Sequence, residues 1–452
     1  MTRIHTHLCC GRWRRPSLCG LMLSGMLALI VPAVPSVSPR ASPAMRAAAA
    51  GSQPLVNVAA FRGQGHLAFL WNKELYVLDG TAGVLRRLTA GGRAPTFGWS
   101  PDGRWLAYDT GNGQLWLVRA DGSGRHRVTG LPAPVASFGW LPSTDVLSIT
   151  LSGNTPAARH LWLVTPTRRV SKVAAATNRG VWTPDGKTLA YVVTLPFRNP
   201  ETRSDALYTV PATGGRPTRR FLGRHEGIDL LGWWPDGKGL LFWRDPWHSA
   251  SIAADGLGLF SMPLGRKPRL LVTSLTYADW MAPSSSGRDL LMVAGGGREA
   301  WHNKRLARCD VERAICRALP QRPGFVSLDP AWSPRGNHIA FVQARDRGSA
   351  VDATGFATTQ ALLAWVHTHT LWMSDVHGAA AHPLPAAGTG VYQPQWPADG
   401  HHLLYIRDNA LWLIDTHGGA PSRIVGPFPG TPDLFGYYGH ASWPIVTAWN
   451  RR

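Results

Sequence analysis

A five-residue unit, Trp-Ser-Pro-Asp-Gly, recurs along this chain and constrains its fold more than any other feature. It stands complete at Trp99-Ser100-Pro101-Asp102-Gly103. Close variants follow at Trp182-Thr183-Pro184-Asp185-Gly186, Trp234-Pro235-Asp236-Gly237 and Trp332-Ser333-Pro334-Arg335-Gly336. Looser copies are Trp140-Leu141-Pro142, Trp280-Met281-Ala282-Pro283 and Trp396-Pro397-Ala398-Asp399-Gly400. Successive tryptophans lie about 40 to 65 residues apart, close to the period of propeller blades.

Each copy reads as four strands, a to d. Strand a ends in the Trp, Pro presets φ for a turn, and Asp-Gly completes it with a side-chain cap and a residue free to take positive φ. Strand b follows with apolar residues, as in Leu189-Ala190-Tyr191-Val192 or Leu403-Leu404-Tyr405-Ile406. Strand c is Leu161-Trp162-Leu163-Val164, Leu371-Trp372-Met373 or Leu411-Trp412-Leu413-Ile414, and a polar hairpin leads into a short strand d. Helical periodicity is scarce, while 49 Gly and 36 Pro suit many short strands and tight turns.

The ends set the blade count. Residues 67–89 supply strands b, c and d, with Leu67-Ala68-Phe69-Leu70 as b and Leu75-Tyr76-Val77-Leu78 as c, but no leading Trp unit. The reverse holds near the C-terminus, where Gly439-His440-Ala441-Ser442-Trp443-Pro444 reads as a lone strand a. Joined, they make a composite blade that closes the ring without a free edge. The expected fold is therefore an all-β, eight-bladed β-propeller over residues 51–452; a seven-bladed ring is the alternative if one weak unit packs outside.

Residues 1–50 stand apart. Arg3, Arg12, Arg14 and Arg15 precede an apolar run from Leu18 to Val34, and an Ala-rich exit follows at residues 47–50. That order reads as an export signal, with an uncleaved N-terminal membrane anchor as the alternative. Either places the propeller outside the cytoplasm. Of five cysteines, only Cys309 and Cys316 fall outside this segment. With a turn at Glu312-Arg313, Asp310 faces Ile315 and Cys309 faces Cys316. A cross-strand disulfide contributing about 2–3 kcal/mol is then geometrically available, the alternative being two buried thiols.

Trp-Ser-Pro-Asp-Gly followed by Leu-Ala-Tyr and Leu-Trp resembles the repeat of TolB-type propellers, and of the propellers in the tricorn protease and dipeptidyl-peptidase IV. The resemblance covers nearly all of residues 60–450 and rests on turn and packing residues, so it implies architecture and no chemistry. Lone propellers among such relatives mostly bind proteins or glycans, whereas those of peptidases gate a hydrolase domain. The chain contains no Gly-x-Ser-x-Gly elbow, no Gly-x-x-x-x-Gly-Lys-Ser/Thr phosphate loop and no His-Glu-x-x-His motif. A non-enzymatic binding role without cofactor or metal is the leading expectation. A propeller-based polysaccharide lyase or glycosidase, working through channel His, Asp and Arg, is the alternative.

The b–c loops lengthen in four consecutive blades, at Thr194 to Asp205, Arg244 to Gly256, Gly295 to Lys304 and Ala344 to His369. Loops on a rigid scaffold collect function. These loops and their flanks offer Arg198, Arg203, Trp247, His248, Trp301, His302, Arg305, Arg345 and Arg347 as binding candidates, alongside Phe197, Lys304 and Trp365. The competing reading is that the aromatics fold back over their own stems. Asp229, Asp279 and Asp329 fall on or near strand a, where they would line the central channel. His367 and His369 form an i, i+2 pair that would share one strand face, and without a third ligand they do not make a zinc site.

Net charge is +20 over the whole chain, and residues 1–50 hold six arginines and no acid. An exported basic protein meets an envelope protein, acidic glycans, wall polymers or membrane phosphates. Nucleic acid is disfavoured because no long basic run is present and export removes the chain from chromosomal DNA. The expected state is a monomer, touching membrane only through an uncleaved anchor.

Overall fold

The computed structural model describes residues 53–91, 96–153, 160–167, 170–175, 180–246, 248–284, 286–349, 359–429, 438–440 and 447–450. The segment read as an export signal lies outside the described residues. Within the described residues, strands pair antiparallel into eight four-stranded sheets. Blade 1 comprises His66–Trp71, Glu74–Asp79 and Val84–Arg87, and Thr447–Asn450 completes it. Blade 2 runs from Thr96–Trp99 to His126–Arg127, blade 3 from Val135–Trp140 to Val170–Ala175, and blade 4 from Gly180–Trp182 to Thr218–Gly223. Blade 5 runs from Gly227–Trp233 to Arg269–Ser274, blade 6 from Met281–Pro283 to Ile315–Ala318, blade 7 from Phe325–Trp332 to His382–Pro383, and blade 8 from Tyr392–Gln395 to Ser422–Val425. First strands of neighbouring blades pack on one another, so they surround the axis. The fold is the eight-bladed propeller read from the repeat.

The repeat residues now have physical roles. In blade 2 the Ser100 hydroxyl donates to Asp102 and accepts the Trp105 amide, while Asp102 also accepts the Arg104 amide at 2.9 Å. Thr183 and Asp185 repeat this arrangement in blade 4. Gly103 and Gly186 close these turns at φ of 75° and 70°, where a Cβ would be strained. The Trp does something different: its indole N–H crosses to the preceding blade. Trp99 donates to Ala448 O, Trp140 to Gly98 O, Trp233 to Val181 O, Trp332 to Ala282 O and Trp396 to Ala331 O, at 2.7–3.3 Å. In every case the acceptor immediately precedes the repeat position of the neighbouring blade.

That rule corrects three sequence assignments. The repeat tryptophan of blade 5 is Trp233, because Trp234 occupies the serine position and donates to Ser261 Oγ. Blade 6 carries Pro283 at the repeat position, and Trp280 sits earlier, in the short turn Ala278–Trp280. Trp443, expected in the closing strand, lies outside the described residues. The strand that pairs with His66–Trp71 is Thr447–Asn450, with Leu67 opposite Trp449. Closure is reinforced from the other side: Asn57 N donates to Ile424 O, Gly426 N donates to Leu55 O, and Val56 bridges Val425. Both ends of the propeller are thus tied to the blade across the seam.

Strands b and c are buried on both faces, as in the wholly buried Glu74–Asp79, because each blade packs between two others. The largest continuous core runs through blades 6, 7, 8 and 1. Cys309 and Cys316 face each other in register and are disulfide-bonded, with Asp310 opposite Ile315 as expected.

Candidate binding face and channel cluster

Because b–c loops and blade-to-blade connections emerge at one end of each sheet, the four long loops share one face. Their bounds match the expected ones: Thr194/Asp205, Asp245/Leu257, Ala294/Arg305 and Arg345/Thr370 flank them. Two loops carry a short helix, Ala250–Asp255 and Thr359–Val366.

Two of the loop tryptophans, Trp301 and Trp365, do not face solvent. Trp301 is fully buried and meets Trp365, also buried, edge to face at 6.2 Å; Trp365 in turn meets His369 at 4.4 Å. Trp301 and Trp365 therefore cover their own stems, whereas Phe197 in the blade 4 loop is exposed. Trp247 lies outside the described residues. His248 bonds Arg203 O through Nε2 at 3.0 Å, joining the loops of blades 4 and 5, and His302 Nδ1 pairs with Asp346 at 2.8 Å. Lys304, only 1% exposed, gives its ammonium to three carbonyls, Gly296 O, Gly297 O and His302 O, at 2.9–3.0 Å. It pins the blade 6 loop from inside. His367 and His369 separate: His367 follows the Thr359–Val366 helix and bonds Leu363 O, whereas His369 is buried with Nδ1 on Val391 O. Burial pushes the His369 pKa down to about 3, so the ring is neutral.

Besides Phe197, the named candidates that remain outward are arginines. Arg305, Arg345 and Arg347 are exposed, as are Arg198 in the blade 4 loop and Arg322 in the connection between blades 6 and 7. Four of these meet at the seam of blades 6 and 7. Ser327 N donates to Lys304 O, and the Gln321 amide donates to Lys304 O at 3.2 Å and also to Phe325 O. Lys304, the residue before Arg305, is thereby tied to blade 7. Phe325 lies opposite Arg345 across the strands; the Arg322 and Arg345 guanidinium carbons sit 4.3 and 5.5 Å from its ring centre. Arg347 stands over Trp301 at 5.8 Å. None of these four arginines has a carboxylate partner among the described residues, although Arg86, Arg244, Arg298 and Arg308 elsewhere are paired with acids. A guanidinium resting on an aromatic ring can still offer its N–H fork to a planar anion, although Arg347 also gives one N–H to Ala361 O at 3.4 Å. Arg322 escaped the sequence reading because it lies in a blade connection, and only the fold brings it to Arg345.

Below this face the channel residues converge. Asp229 is exposed and lines a cavity of about 170 Å³ with Thr276 and Ala278. Asp279 accepts His440 Nε2 at 3.0 Å and Gln393 Nε2 at 3.2 Å. Asp329 accepts the Trp280 indole at 2.9 Å and the Gln393 amide at 3.0 Å. His440 stacks on Tyr277 at 3.7 Å. Burial raises the Asp329 pKa to about 6, and the Asp279 charge adds to the rise. No group of three or more metal-ligating side chains occurs among the described residues. His440 was not foreseen as a channel residue, since 161 positions separate it from Asp279.

No family model matches the chain. An uncharacterized protein of Agrobacterium fabrum, Atu1656, is 45% identical over 60 residues, which is 12% of this chain and 20% of that protein. The chain thus matches about a fifth of the length of that curated relative. Among solved structures, TolB from Acinetobacter baumannii is 14% identical, covers 83% of this chain and 78% of its own, and has a TM-score of 0.35. A TolB from Agrobacterium tumefaciens shows 15% identity, 70% and 87% coverage and a TM-score of 0.32. An oligogalacturonate lyase in complex with manganese shows 14% identity, 74% and 88% coverage and a TM-score of 0.43.

Proposed function

We propose that this chain is an extracytoplasmic, non-enzymatic binding propeller that takes an anionic partner, an envelope protein or envelope polymer, at the seam of blades 6 and 7. The observation that supports this reading is the group of four exposed arginines, Arg305, Arg322, Arg345 and Arg347, that lie along this seam and have no carboxylate partner among the described residues. The export-like residues 1–50 and the Cys309–Cys316 disulfide support an oxidising compartment. The test is binding of the purified full chain to fractionated cell-envelope material at about 50 and 200 mM salt, because contacts with a polyanion weaken as salt screens them. Binding that falls with salt and drops at least about tenfold in Arg305→Ala/Arg322→Ala/Arg345→Ala, roughly 1.4 kcal/mol, is expected. Equal binding by the variant overturns the reading.

A second reading, cleavage of an acidic polysaccharide in the channel, draws on Asp279, His440 and the raised Asp329. A carboxyl titrating near neutrality beside an imidazole is the kind of pair that exchanges protons with a substrate. Turnover of an acidic glycan that is lost in Asp329→Asn would favour it over binding alone.

A further inference from the structure

The opposite face, where the a–b and c–d turns emerge, holds a feature independent of the arginine seam. Between blades 2 and 3 lies an open cleft of about 570 Å³, within the range of about 300–1,000 Å³ typical of ligand sites. One wall is Trp105 and Arg119 of blade 2; the other is Asp145-Val146 and Thr165-Pro166-Thr167 of blade 3. Trp105 is held in place on two sides. The Arg119 guanidinium carbon lies 5.1 Å from its ring centre, and His126 meets it edge-on at 5.9 Å. Across the cleft, Thr165 and Thr167 hydroxyls bond each other at 2.8 Å.

Arg104 bonds Asp102 and reaches Asp145 at 3.9 Å, and Arg119 is the second cation. Asp145 is pushed up by burial and by its neighbour Asp102. Asp102 is held low, since bonds from Ser100 and Arg104 outweigh its own desolvation. Among the described residues that line the cleft, the charged ones are Arg119 and Asp145, one of each sign. An aromatic wall, a carboxyl edge, a guanidinium and paired hydroxyls suit a ligand that is apolar on its ring faces and polar around its rim.

We infer that this cleft is a subsite for a neutral pyranose saccharide, with a sugar ring against Trp105 and its hydroxyls on Asp145, Arg119, Thr165 and Thr167. The ring's axial C–H groups would lie on the indole, and equatorial hydroxyls would take the donors and acceptors on both walls. The site is separate from the arginine seam and would stand if that reading failed.

The test uses the full chain with cellotriose and maltotriose, β- and α-linked neutral trisaccharides, followed by calorimetry and ligand-observed NMR. Saturable binding of at least one, with a Kd on the order of 1 mM, is expected. Trp105→Ala should weaken it at least tenfold. Because Trp105 also packs toward the blade 3 core, a second variant, Thr167→Trp, fills the cleft from an exposed position and should abolish binding without lowering the melting temperature. Absence of saturable binding of both trisaccharides up to roughly 50 mM, or binding unchanged in Thr167→Trp, overturns the inference.

Discussion

Asp329 and Gln393 occupy matching places in blades 7 and 8 and share an unusual conformation. Both are non-glycine residues at positive φ, 49° and 43°, and each precedes a proline. Strand pairing skips at both sites, between Leu328 and Ala331 and between Tyr392 and Gln395. Proline has no N–H to lose from a ladder, so Pro330 and Pro394 tolerate these bulges, and the bulge turns the preceding side chain toward the axis. Strain of this kind persists only where the surroundings over-determine it. Here the Trp280 indole and the Gln393 amide fix the Asp329 carboxylate. Burial outweighs those bonds and raises the pKa. An unfolded Asp releases its proton near 3.8, whereas Asp329 in the fold releases it near 6. Between those values the folded state holds the extra proton, so stability falls as pH rises from about 4 to about 6 and remains lower above. Asp329→Asn removes this titration. Urea unfolding at pH 4.5, 6 and 7.5 should show the variant gaining on the wild type as pH rises, by on the order of 1–3 kcal/mol. A difference that does not change with pH would contradict the assignment.

At the scale of strands, the repeat tryptophan links five of the blades to the one before. An indole N–H donating to a buried carbonyl contributes about 1 kcal/mol net, and leaving that carbonyl unmet costs about 1–3 kcal/mol. Trp332→Phe should therefore lower stability by about 1–3 kcal/mol beyond the small change in apolar area, since Ala282 O loses its donor. Trp182 is a control within the same chain. Its indole nitrogen is buried without a partner, so Trp182→Phe should cost little or nothing on this account. Equal losses for the two variants in chemical denaturation would rule out the indole bond as the link. The strands themselves were legible because each repeat marks its own a–b turn, and the b–c loop bounds fell within a residue or two of those observed. The closing strand was misplaced because Thr447–Asn450 carries no Pro-Asp-Gly after Trp449. Only its pairing with His66–Trp71 and the bond from Trp99 to Ala448 O reveal it.

Across the whole molecule, which side of a loop residue faces out is decided by neighbours far away in sequence. Trp301 and Trp365 looked like exposed anchors, yet the ring brings them together and buries both. The chain gave no local sign of this, because an aromatic in a polar loop reads alike whether it caps a stem or awaits a partner. Arginines were safer to place, since burying an unpaired guanidinium is costly and the fold leaves them at the rim. Their convergence from residues 305, 322, 345 and 347 follows from blade 7 packing its first strand on blade 6. The account's central claim is that this convergence is the binding surface. Amide hydrogen exchange of the full chain, with and without saturating anionic envelope polymer, tests it most directly. Slowed exchange confined to peptides around residues 302–306, 320–326 and 344–348 is the predicted result. Protection that leaves those segments untouched and appears instead along the channel strands or the a–b turns would contradict it.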